Sequence, residues 1–83
     1  MSFKVDQLDD LDIYAPKGTL VVVTDTTAKN GYATDKIMVE KYLKRNTPYE
    51  IERTVVAGWS TAVFLKHLPS MSFNSSMFMQ ILD

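Results

Sequence analysis

The chain has 83 residues, 46% hydrophobic and 23% charged, with a formal net charge of −1 and no cysteine. This describes one small domain with a modest core; the near-neutral balance argues against a nucleic-acid binder, and the missing thiol excludes disulfides, thiolate metal sites and thiol catalysis. A single histidine rules out a His-rich metal site, no apolar run approaches the ~20 residues of a membrane span, and the opening MSFKVDQLDD lacks the apolar centre of a signal peptide, so a cytoplasmic location is expected.

Residues 1–18 read as an N-terminal arm. Asp6, Asp9, Asp10 and Asp12 lie among Phe3, Val5, Leu8, Leu11 and Ile13 with no clean period of two or 3.6. One reading is a solvated tail partly draped on the domain. The other is a docking segment whose apolar residues anchor and whose acids select the partner. Pro16-Lys17-Gly18 is a turn that ends the arm, and the domain proper is expected over residues 19–83.

The β-branched run TLVVVT at 19–24 predicts a central strand covered on both faces. In the loop that follows, Asn30-Gly31 signals a turn that uses the positive φ open to glycine. Thr34 is placed to cap a helix over 35–45, with Asp35 favourable at its N-terminus. Ile37, Met38, Val39, Tyr42 and Leu43 form its apolar stripe, and Asn46 and Pro48 stop it. YEIERTVV at 49–56 alternates as a strand, with Tyr49, Ile51 and Arg53 on one face. The helical link predicts that it runs parallel to the first strand. After the break at Ala57-Gly58, residues 59–68 fit either a helix or a buried strand; their length and the following Pro69 favour the helix. Met71 and Phe73, the turn Asn74-Ser75-Ser76, and Met77, Met79 and Ile81 read as a closing hairpin.

The resulting order, β-α-β-α-β-β with a proline before the third strand, resembles the glutaredoxin branch of the thioredoxin fold, in particular the short phage-type glutaredoxins. VVVTD is similar to the family's first strand, KRNTPYEIE to its turn into the second, and SMSF-NSS-MFMQ to its closing hairpin. By spacing, Gly31-Tyr32-Ala33-Thr34 falls on the C-x-x-C motif and Leu68-Pro69-Ser70 on the Val-Pro dipeptide. The resemblance covers residues 19–82. It implies an α/β, glutaredoxin-like fold with a four-stranded mixed sheet, its last helix truncated or absent, and a cis peptide before Pro69, although an isolated X-Pro bond is usually trans. It does not carry the activity across. The family's nucleophile is a thiolate stabilised at a helix N-terminus, and Gly31 and Thr34 stand where the two cysteines would be.

Other constellations have plainer explanations. His67 has no nucleophile motif around any serine and reads as a surface residue. Asp25 and Asp35 fall short of a calcium loop, and Thr26, Thr27, Lys29 and Gly31 lack the Walker pattern of a phosphate cradle. Trp59 is an anchor of the core or of an interface.

These observations lead to the expectation of a non-catalytic interaction module on a glutaredoxin-like scaffold, binding a protein partner or a second copy, as a phage accessory or host-takeover protein does. Alternatives are a redox-related protein that retains glutathione or thiol-protein binding, and a small structural subunit of a larger assembly. Lys29, Gly31, Tyr32, Thr34, Leu68 and Pro69 are the expected binding residues, and Met71, Phe73, Met77, Phe78 and Met79 the expected partner surface. No cofactor, metal, nucleic acid or membrane is expected.

Overall fold

The computed structural model describes residues 8–82, so Phe3, Val5 and Asp6 of the expected arm lie outside the described residues. The elements are β1 (Leu8–Asp10), β2 (Leu20–Val22), a 3-10 turn (Thr27–Lys29), α1 (Ala33–Tyr42), β3 (Tyr49–Val56), β4 (Thr61–Leu65), β5 (Leu68–Asn74), a second 3-10 turn (Ser75–Met77) and β6 (Met79–Ile81). The six strands form one sheet in the order β1-β6-β2-β3-β4-β5, and every neighbouring pair is antiparallel. The fold is a small α+β structure with one helix. The expected four-stranded mixed, glutaredoxin-like sheet is not formed.

The decisive correction concerns β2 and β3, which are antiparallel, with Leu20 opposite Glu50 and Val21 opposite Tyr49. A helical link gives a parallel return when the helix itself carries the chain back along the strands. Here the chain leaving β2 travels through residues 24–32 before α1 begins, and α1 then returns to the end that β2 left from. Two contacts mark the return: the Asn46 N–H donates to the Val23 carbonyl at 2.7 Å, and Arg45 pairs with Asp25 at 3.2 Å. The Arg45 guanidinium also reaches Glu40 at 2.6 Å, and its pKa is raised by the hydrogen bonds to Glu40 and Asp25. From that end β3 has only one direction to run.

Within α1 the expected stripe is half right. Val39 and Leu43 are buried and Met38 is partly buried, whereas Ile37 and Tyr42 face solvent. Thr34 does not cap the helix. Tyr32 occupies the N-cap position, and its N–H donates to the Asp35 carboxylate at 2.9 Å, so the acid satisfies one of the donors a helix start leaves open. Asn46, at φ 60°, turns the chain out of the helix end.

Residues 59–68 are not helical. Thr61, Val63 and Leu65 are buried and alternate with half-buried Ala62 and Phe64, the two-residue period of a strand. β3 is long enough to serve two partners: Tyr49 and Glu50 pair with β2, and Ile51 onward with β4. The register shifts between Ile51 and Arg53, and this bulge breaks the expected Tyr49-Ile51-Arg53 face. Arg53 pairs with Phe64 on the outer face, its guanidinium 3.8 Å from the ring centroid, while Thr54 turns inward opposite buried Val63.

The C-terminal segment is not a hairpin either. β5 pairs with β4 at one edge of the sheet, and β6 inserts between β1 and β2 on the other side. Asn74 redirects the chain, its side-chain Oδ1 accepting the Ser76 N–H at 3.0 Å and the Ser76 hydroxyl at 2.8 Å. The segment read as an arm supplies β1 and then crosses the core side of the sheet, burying Ala15. The core lies between that crossing, α1, the second 3-10 turn and the inner sheet face, and is built on Val21, Val23, Ile51, Val63, Leu65 and Met77.

Candidate functional site

The end of the core near the β3–β4 turn is open. β3 and β4 pair as far as Val56 and Thr61, and the Ala57 N–H donates to the Ser60 carbonyl at 2.8 Å, closing a tight turn. Trp59 sits at the tip of this turn and is 89% exposed. Opposite stands Tyr32, 72% exposed, held at the helix start by the Asp35 bond to its N–H. On the third side Ile13 closes in from the β1–β2 crossing, its carbonyl accepting the Thr54 hydroxyl at 2.9 Å. The fourth side is the polar turn after β5, where the Asn30 amide donates to the Ser76 carbonyl at 3.0 Å. These walls enclose a groove of about 530 Å³, whose lining also includes Val56 and Thr61. None of the residues lining it is charged.

The groove presents two exposed aromatic rings together with hydroxyl and amide groups. Tyr32 and Trp59 gain little stability for the folded chain from burial, because most of their area stays in water. Among the described residues no three His, Asp or Glu side chains gather to hold a metal ion. His67 stacks on Tyr49, with ring centroids 4.9 Å apart, at the β4–β5 turn and away from the groove.

The expected binding residues are scattered. Tyr32 lines the groove. Gly31 lies behind it against Met77, so close that a Cβ there would stand 2.6 Å from the sulfur. Lys29 and Thr34 are exposed near by without lining the groove. Leu68 and Pro69 open β5 next to Leu65, at the opposite end of β4 from Thr61, so the helix start and the proline that the resemblance brings together stay apart. The Leu68-Pro69 bond is trans, since no cis peptide occurs among the described residues. The Thr24 and Thr27 hydroxyls are used within the loop, each accepting the other residue's N–H, at 3.0 and 2.9 Å.

The expected partner surface is mostly interior. Phe73, Met77 and Phe78 are buried, with the two phenylalanine rings edge to face at 6.3 Å. Met71 is half-buried against the core, and Met79 is half-buried in β6. The residues that do line the groove, Ile13, Val56, Thr61 and Asn74, carry no motif. Trp59, read from the sequence as an anchor of the core or of an interface, is exposed at the turn tip and is not part of the core.

Among the described residues no helix is long and apolar enough to cross a membrane. No curated protein and no solved structure matches the chain. A family model described as Bacteriophage T4 protein Y07B matches residues 12–82, a span that takes in every residue lining the groove. The chain therefore belongs to the Bacteriophage T4 protein Y07B family and is a small phage-type protein.

Proposed function

We propose that this chain is a non-catalytic binding module that acts through a protein partner in the cytoplasm of the infected cell, as a phage accessory protein. The observation that carries this reading is Trp59, 89% exposed at the tip of the β3–β4 hairpin and lining an uncharged groove together with Tyr32. Tryptophan and tyrosine are the side chains that most often dominate binding energy at protein interfaces, because they bring large area at low entropic cost. A groove with one aromatic ring on each side suits a projecting segment of a partner rather than a flat surface.

The test is capture of partners by the immobilised chain from lysate of phage-infected cells. Wild type is expected to retain a defined protein at a stoichiometric level, and W59A and Y32A are expected to lose it while remaining folded by circular dichroism. Equal retention by W59A and wild type would overturn the reading.

A further inference from the structure

We infer that the partner segment presents an arginine side chain, and that the aromatic groove continues into a subsite for its guanidinium built on Asp35. This rests on the protein-binding reading above and names the chemistry that the same site recognises.

A second cleft of about 170 Å³ adjoins the groove, and Tyr32, Ser60, Thr61 and Asn74 line both. Asp35 lines the second cleft and is the one charged side chain among the residues lining either. Its Oδ2 is fully engaged, accepting the Tyr32 N–H at 2.9 Å and the Asn74 amide at 3.2 Å. Its Oδ1 has no hydrogen-bond partner, and the carboxylate pairs with no cation, among the described residues. A carboxylate offers about four acceptor positions, so Oδ1 keeps its acceptor capacity while the two bonds to Oδ2 hold the side chain still.

The charge balance favours a cation. The start of α1 carries roughly half a positive charge and would repel one, but the full negative charge of Asp35 exceeds it. Tyr32 and Trp59 add two exposed rings, whose faces attract cations. Arginine fits this set better than lysine: its planar guanidinium stacks on an aromatic ring and donates to a carboxylate in the same plane. The uncharged remainder of the groove would accept the apolar stem and neutral flanking residues.

The test is a titration of the isotopically labelled chain with the capped peptide acetyl-Gly-Arg-Gly-amide, alongside the same peptide with citrulline, its neutral near-isostere. Expected are saturable shifts at the Trp59 indole N–H and the Tyr32 and Asp35 amides, with citrulline about tenfold weaker, the effect of losing one charge-assisted hydrogen bond. D35N retains an oxygen to accept the Tyr32 N–H, so the fold is kept, and arginine binding should fall to the citrulline level. Equal responses to the two peptides, no response to either, or wild-type arginine binding by D35N would overturn the inference. Loss of a captured partner in W59A with no arginine response would remove this subsite alone. Arginine saturation with a partner held equally by W59A would instead remove the protein-partner reading.

Discussion

Gly31 packs directly onto Met77. A Cβ at Gly31 would stand 2.6 Å from the Met77 sulfur and 2.7 Å from the Asp35 Cβ. Only Gly18 among the glycines has a positive φ, so Gly31 is small for reasons of space and not of backbone freedom. Met77 has no exposed surface and joins the second 3-10 turn to the core. The start of α1, which carries Tyr32, is thereby pressed against the turn after β5 that forms another wall of the groove.

Gly31→Ala should therefore destabilise by about 1–3 kcal/mol, the usual range for overpacking. Urea denaturation should show a lower midpoint with an unchanged slope. The Met77 side chain is flexible while Asp35 is held by the helix, so in a Met77→Val background the same change should cost less without becoming neutral. A double-mutant cycle measures that difference.

Asn46 has φ 60° and Gly18 has φ 92°. Asn46→Ala and Gly18→Ala should each cost about 1 kcal/mol, the lower end of the penalty for placing a Cβ in left-handed backbone. Asn46→Gly should be close to neutral, because glycine accepts the conformation but gains freedom in the unfolded chain. Thermal unfolding of the three variants separates backbone strain from loss of the Asn46 side chain.

Ile51 is fully buried where β3 passes from one partner strand to the other. Ile51→Ala should cost about 2–5 kcal/mol and Ile51→Val about 0.5–1.5 kcal/mol. A domain of this kind has on the order of 5–15 kcal/mol in total, so the alanine variant should lose a large share of its stability and unfold at a clearly lower temperature than wild type. Far-ultraviolet circular dichroism and amide exchange read this directly.

Trp59 is the single tryptophan and lies in solvent at the hairpin tip. Its fluorescence should resemble that of free tryptophan, be fully quenched by acrylamide, and change little on unfolding in urea. Circular dichroism over the same titration should show a clear transition. Trp59→Ala should shift stability by no more than about 0.5 kcal/mol, as for surface positions in general. A strongly blue-shifted emission that moves on unfolding would mean that the ring is buried.

Much of the local structure could be read from residue order. Val21, Val22 and Val23 of the run at residues 19–24 are buried as its β-branched pattern predicts, a helix is present although it spans Ala33–Tyr42 and not 35–45, β3 covers residues 49–56 as read, and Asn74-Ser75-Ser76 does turn the chain. The absence of cysteine settled from composition that no thiol chemistry operates. These features depend on neighbours a few residues apart, and the pattern records such neighbours. The direction of β3 against β2, the separation of β5 from β6, the strand rather than helix at residues 61–65 and the meeting of Ile13, Tyr32 and Trp59 around one groove depend on contacts between distant segments. A hydrophobic period is the same whichever way a strand runs and whichever strand it meets, so those relationships had to come from packing of the whole chain.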